Sequence, residues 1–296
     1  MCPVCQNSHS EIVKKGFFTK KSTRSERIQR FFCKACARSF STQTKRLSYY
    51  DKKPHINQPL FRLLSSGVSQ RRCALIFQVD KKTVARKLVR LGKAAQFHIE
   101  TTSRLPQPSH KTAVFDDMET FEHTKCKPLS ITVAVQEHSR FIIAARVSQM
   151  PSKGRLAAVS LKKYGYRPDL RREGLTEVLA RIKRIMPEIQ TIKSDLCPRY
   201  PRAVRQILPG VIHDRSKGRK PCIAGLGELK EGGFDPLFSL NHSCAMFRDN
   251  LKRLSRKSWC TTKKPENLQH LLNLYACFHN QRLLDRKRVP QLADPI

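Results

Sequence analysis

Residues 113–122 read Ala113-Val114-Phe115-Asp116-Asp117-Met118-Glu119-Thr120-Phe121-Glu122. An apolar start turns acidic: Asp116, Asp117, Glu119 and Glu122 fall within seven residues of a chain that is poor in acids. If the run is a strand, alternation puts Asp116 and Met118 on one face and Asp117 and Glu119 on the other. A further acid, Asp195, ends the strand-like run 189–194. Two carboxylates at the ends of neighbouring strands can share divalent cations, and hard oxygen donors suit Mg2+ or Mn2+. A pair of such ions activates a water or a sugar 3′-hydroxyl for in-line attack at phosphorus. Taken singly, each aspartate reads better as the surface salt-bridge partner of one of the many arginines.

Working outward, residues 129–135 and 141–147 read as strands joined by a turn at 137–139. An amphipathic helix at 175–186 precedes the strand 189–194; a helix at 200–208 and a short strand at 211–213 follow. Residues 214–236, rich in Gly and Lys, read as loop, and 241–257 and 265–279 as two closing helices. Upstream, 59–96 carries apolar stripes at helical spacing, flanked by linkers at 46–58 and 101–111. Within it, 69–88 has the pattern of a helix–turn–helix: Ala74 in the first helix, a turn near 78–80, and a second helix from 81–83. Lys82, Thr83, Arg86 and Arg90 on its outer side are the polar and basic residues that a major-groove helix needs; an ordinary helical hairpin is the competing reading.

At the N-terminal end, Cys2-Pro3-Val4-Cys5 and Cys33-Lys34-Ala35-Cys36 form two knuckles 27 residues apart, enough for one hairpin, with strand-like runs at 12–18 and 28–32 separated by the polar stretch 19–27. Two residues between thiolates let a tight turn aim both at one tetrahedral ion, so Cys2, Cys5, Cys33 and Cys36 make a closed structural zinc site. The chain holds 11 cysteines, and no apolar leader follows Met1, which predicts reduced thiols rather than a disulfide framework. Lys and Arg number 58 against 23 Asp and Glu in 296 residues, a net charge of +35 spread along the whole chain. That points to a polyanion, nucleic acid rather than a membrane surface.

The order strand–Asp, hairpin, strand, helix, strand–Asp, helix, strand, long helix follows the RNase H-like plan. Over nearly its whole length the chain resembles the Asp-Asp-Glu transposases of bacterial insertion sequences, closest to the oldest-known insertion-sequence family and its zinc-ribbon relatives. The resemblance lies in Cys2–Phe40 with its two knuckles and Arg38-Ser39-Phe40, in Phe115–Glu119, in Ser194-Asp195, and in the basic run 248–258. It implies a zinc ribbon (1–45), a helix–turn–helix domain with linkers (46–110) and an α/β catalytic domain with a mixed sheet flanked by helices (111–296). It implies that Asp116 and Asp195 hold two Mg2+ or Mn2+ ions, and that Arg248 and Lys252 hold DNA. Matching the basic run puts Asn241 where the family has its third acid; the competing third ligand is Glu228, 32 residues beyond Asp195. Double-stranded DNA, both terminal inverted repeats and target, is the implied partner of a homodimer or larger assembly in a bacterial cytoplasm, near the nucleoid. A DNA-binding regulator, or a copy that has lost its chemistry, is the alternative that Asn241 keeps open. His213 and His242 are candidates to orient a phosphate, His123 and Cys126 for a second zinc site, and Trp259 for base stacking; core roles are the plainer reading of each.

Overall fold

A computed structural model describes the chain apart from residues 8, 10, 21–22, 45, 47–48, 50, 102–104, 107, 219–228, 231–232, 256–259, 287 and 293–296, and apart from the side chains of residues 20, 23–26 and 229–230. Glu228 and Trp259 therefore lie outside the described residues. The described chain separates into two compact units, Met1–Asn57 and Gln58–Leu292.

The first unit is a three-stranded antiparallel sheet, β1 (Ile12–Lys20), β2 (Thr23–Cys33) and β3 (Arg38–Ser41), in that order. The hairpin is longer than expected. The polar stretch 19–27 does not separate two strands but continues the ladder, with Thr19 opposite Arg27. Backbone pairing needs no apolar side chains, so a solvated strand of this kind leaves no alternation to read. β3 was not expected either. It is held by Phe40 stacking on Phe31 of β2, with ring centroids 5.4 Å apart.

The second unit begins with α1 (Asn57–Ser65, whose first residue closes the first unit), α2 (Gln70–Ile76) and α3 (Lys81–Thr101). Ser69 caps α2 by accepting the Arg72 amide. Gln78 takes the left-handed conformation (φ 50°) in the turn, and Asp80 caps α3 by accepting the Lys82 amide at 2.7 Å. The expected stripe of Val84, Leu88 and Leu91 is buried.

Next come β4 (Thr112–Phe121), β5 (Pro128–Gln136), β6 (Ile142–Gln149), α4 (Leu156–Tyr164), α5 (Arg171–Ile185), β7 (Thr191–Ser194), α6 (Tyr200–Ile207) and β8 (Ile212–Arg215). A small hairpin, β9 (Leu229–Lys230) with β10 (Gly233–Phe234), corrects the loop expected over 214–236. α7 (Phe238–Asn250) and α8 (Pro265–Leu284) close the unit. The main sheet runs β6-β5-β4-β7-β8, antiparallel among its first three strands and parallel from β4 to β8. β5, paired on both sides with β4 and β6, is buried along almost its whole length. One core cluster joins Phe115, Ala134, Phe141 and Ile143 of the sheet region to Leu175, Leu179 and Ile182 of α5 and to Tyr200 and Val204 of α6.

The open edge of β6 is closed by side-chain amides of α8. Asn280 accepts from the Ile142 amide (2.9 Å) and donates to its carbonyl (2.8 Å). Gln269 does the same for the Val147 amide and the Ala145 carbonyl, at 2.8 Å each. Four groups that an edge strand would offer to another chain are thus satisfied internally.

Two helical expectations change. α4 is an addition: its buried residue is Ser160, whose hydroxyl donates to the Cys126 carbonyl, while Val159 and Leu161 are exposed, so no apolar stripe marks its inner face. The basic run after Arg248 is not one helix. α7 ends at Asn250, Leu251 is extended, and Ser255 Oγ donates to the Arg248 carbonyl, closing the last turn. Lys252 therefore sits in a turn after α7, not on it.

α3 packs on α8 at Gly92, where a Cβ would stand 2.4 Å from the Cβ of His270. Gly92→Val is expected to lower the unfolding free energy by about 1–3 kcal/mol, the usual cost of overpacking, measured by urea titration. An unchanged midpoint would mean that the helices are not in this contact.

Candidate metal centres and nucleic-acid surface

In the first unit the two knuckles meet. Cys2 and Cys5 precede β1, Cys33 ends β2, and Cys36 lies in the turn before β3. Their four Sγ atoms lie within 4.8 Å of one another, with Cys2–Cys36 and Cys5–Cys33 at 3.8 Å. A tetrahedron of sulfurs at the zinc–thiolate distance of about 2.3 Å has edges of about 3.8 Å, so the donor set fits one Zn2+. The Val4 amide points at Cys2 Sγ (3.4 Å), the kind of N–H support that a thiolate ligand receives. His123 and Cys126 join no such group among the described residues, and the His123 ring contacts Lys263 instead.

In the second unit β4 and β7 run parallel with Thr112 opposite Thr191 and Val114 opposite Lys193. The ladder ends at that pair; Asp195 follows directly on the end of β7 at Ser194, and its charge acts on the Asp116 carboxyl. Each carboxylate is held through one oxygen. Asp116 Oδ1 accepts from the Asp117 amide (2.7 Å) and the Tyr200 hydroxyl (2.9 Å); Asp195 Oδ1 accepts from the Cys197 amide (2.8 Å). No hydrogen bond within the described residues engages the Oδ2 of either. Asp117, its neighbour in sequence, is spent on structure. Its Oδ1 accepts from Thr132 Oγ1 (2.5 Å) and its Oδ2 from Arg199 Nη2 (2.8 Å). Two adjacent hard carboxylates, each with an uncommitted oxygen, fit a divalent cation such as Mg2+ or Mn2+.

The electrostatics agree with the geometry. Burial, and then the Asp195 charge, push the Asp116 carboxyl up to about 6, against the opposing pull of its two hydrogen bonds. Burial pushes the Tyr200 phenol far above its usual range, so it acts as a donor.

The loop after β7 is pinned. Ser194 is buried; its Oγ donates to the Asp195 carbonyl (2.9 Å) and lies 2.8 Å from His213 Nε2, and Arg215 donates to the Leu196 carbonyl (2.9 Å). His213 also stacks on Phe115, and burial holds its imidazole below the usual value. It braces the strand end rather than standing free.

α7 crosses this site. Cys244 is buried, and its thiol, pushed up to about 12 by burial, feels both Arg248 and Asp116. Asn241, Cys244 and Arg248 recur at spacings of three and four, hence on one helical face. Asn241 is itself exposed, and its Nδ2 donates to Oδ2 of the buried Asp235 (2.7 Å). His242 contacts Arg140 (3.0 Å).

The proposed DNA-reading residues sit at the exposed start of α3. Lys82 and Arg86 are exposed, Thr83 is half-buried, and so is Arg90, which is therefore less available than its sequence position suggested. Among the described residues no helix is long and apolar enough to cross a membrane.

Sequence reasoning missed Arg199, Tyr200, Thr132 and Cys244. The signal for the first two was an Arg-Tyr pair opening the helix just after Asp195.

No protein-family model matches the chain, and no curated protein is similar to it. Among solved structures, it is similar to a chain of the simian T-cell lymphotropic virus intasome in complex with PP2A regulatory subunit B56 gamma, at 13% identity and a TM-score of 0.32, covering 80% of this chain and 77% of that one.

Protein purified without added metal should carry one zinc per chain by atomic absorption, and Cys33→Ser should lose it; less than half an equivalent in the unaltered protein would refute the four-sulfur site. The acid pair predicts a second result. With no Mg2+ or Mn2+ added, folded Asp116 keeps its proton up to about pH 6, whereas an unfolded aspartate releases it near 3.8. The folded state binds more protons across that window, so stability falls as pH rises through it. Asp116→Asn, which keeps an acceptor for Tyr200, should stabilise the protein at pH 7 by up to about 3 kcal/mol, with the gain gone near pH 4. Denaturant titration at both pH values checks this; a loss of stability at pH 7 would contradict it.

Proposed function

We propose that the chain is a DNA transposase: it binds the ends of its insertion sequence, cleaves them and joins them to target DNA by two-metal phosphoryl transfer. The observation that carries this reading is the approach of Asp195, just past the end of β7, to Asp116 on the neighbouring parallel strand β4, each with one uncommitted oxygen, in a chain of net charge +35. The strand order β6-β5-β4-β7-β8 supports an RNase H-like sheet, with Asp116 on its central strand and Asp195 just past the end of the strand beside it.

Asp116 and Asp195 are the residues that hold the divalent ions. When bound, those ions activate the attacking water or 3′-hydroxyl and steady the leaving oxygen. The chain's own groups do the rest. Arg248, on the face of α7 beside Cys244, pairs with a DNA phosphate, and Lys252 in the following turn adds a second cation. Asn241, one turn before Cys244, offers its Oδ1 as the third ligand; Glu228 is the competing donor. Lys82, Thr83, Arg86 and Arg90 of α3 read the terminal repeats, and the zinc ribbon over 1–45 grips the DNA end. Residues 46–110 serve as the DNA-reading segment and 111–296 as the catalytic one. Two ends cut in one event call for a homodimer or larger assembly on DNA, in a bacterial cytoplasm.

Asp116→Asn should abolish strand cleavage of an end-containing duplex in Mg2+ or Mn2+, by more than about a thousandfold, with end binding intact in a gel shift. Equal loss of binding, or undiminished cutting, would overturn the catalytic assignment. If the unaltered protein binds ends but never cuts them, it is a DNA-binding regulator or a copy without chemistry.

A further inference from the structure

We propose that Tyr200 is a positioning residue for the Asp116 carboxylate: with the Asp117 amide it occupies Oδ1, so that Oδ2 alone is presented to a divalent cation. This rests on reading Asp116 and Asp195 as the metal pair.

Tyr200 is among the largest fully buried side chains, 1% exposed, and opens α6 five residues after Asp195. Its ring lies tilted on Phe115, centroids 4.8 Å apart, inside the cluster that α5 and α6 form on the sheet. Core packing therefore fixes the hydroxyl without help from the acid. A buried tyrosine hydroxyl is satisfied by any acceptor within reach. This one reaches past the end of β7, where the strand stops at Ser194, to Asp116 Oδ1 at 2.9 Å.

The consequence is a ligand of one denticity. Oδ1 already accepts two hydrogen bonds, from Tyr200 and from the Asp117 amide. A cation approaching both oxygens would have to displace both donors, and the phenol has nowhere to retreat to in the core. Asp195 follows the same rule with a single donor, the Cys197 amide. Asp117 marks the contrast: with Thr132 and Arg199 on its two oxygens, it has none to offer. Hydrogen-bond partners of this kind carry about ten- to a hundredfold of a metal's affinity.

The test is isothermal titration of the full-length zinc-loaded protein with Mn2+, for the unaltered chain, Tyr200→Phe, Asp116→Asn and Asp195→Asn. Tyr200→Phe keeps the ring and its packing, so circular dichroism should be unchanged. Mn2+ affinity should fall about ten- to a hundredfold. In cleavage assays the Mn2+ concentration for half-maximal rate should rise while the saturated rate largely returns, a split that loss of folded protein would not produce. Affinity within twofold of the unaltered protein, while either Asp→Asn change removes binding, overturns the role of Tyr200 and leaves the metal pair standing. If neither Asp→Asn change weakens Mn2+ binding, the metal-pair reading falls and this proposal with it. Should Tyr200→Phe not fold, infrared spectra of the unaltered protein labelled with 13C-aspartate decide. A monodentate carboxylate signature on Mn2+ addition is expected, and a bidentate one refutes the proposal.

Discussion

Two like charges kept side by side are the constraint on which the rest of the second unit depends. Parallel pairing of β4 with β7 brings Asp195, just past the end of β7, near enough for its charge to act on Asp116. The burial of Asp116, and then the repulsion from Asp195, push its carboxyl up to about 6. In a protein with more than twice as many cations as acids, an arginine could have neutralised that pair. None is bonded to it among the described residues; the nearest guanidinium bond, from Arg199, goes to Asp117. A site that carries repulsion which a neighbouring side chain could have removed is one suited to a cation from solution.

The surrounding elements hold that arrangement. α6 supplies Tyr200 to one aspartate and, from the residue just before it, Arg199 to the next. Ser194, His213 and Arg215 tie down the loop that carries Asp195. α7 brings Cys244 within electrostatic reach of Asp116, and with it a helical face that includes Asn241 and Arg248. At the far edge of the sheet, Gln269 and Asn280 of α8 satisfy the backbone of β6, which finishes the sheet where another strand would otherwise pair.

Much of this was legible in the sequence because it is written in periodicity and spacing. Strands β4 to β7 and helices α5 and α6 are marked by buried apolar residues, and the four cysteines by their two-residue intervals. What escaped was polar. β1 and β2 extend through a charged stretch whose pairing is backbone to backbone. α4 turns a serine rather than a leucine inward. The basic run after Arg248 reads as helix by composition, but it leaves the helix at Leu251. Within the site, Asp116 was chosen over Asp117 by resemblance; the physical difference between them is which oxygens Thr132, Arg199 and Tyr200 occupy. Those partners lie between 15 and 84 residues away in sequence. Asn241 was placed by alignment to a basic motif, and its exposure and its bond to Asp235 are tertiary facts with no local signal.

The central claim, that Asp116 and Asp195 jointly receive a divalent cation, is tested most directly by anomalous scattering from a crystal of the unaltered protein soaked in Mn2+. The account predicts a peak within about 2.2 Å of Asp116 Oδ2 and of an Asp195 oxygen, separate from the four-cysteine site. A fully occupied peak elsewhere, with no density between the two aspartates, would contradict it.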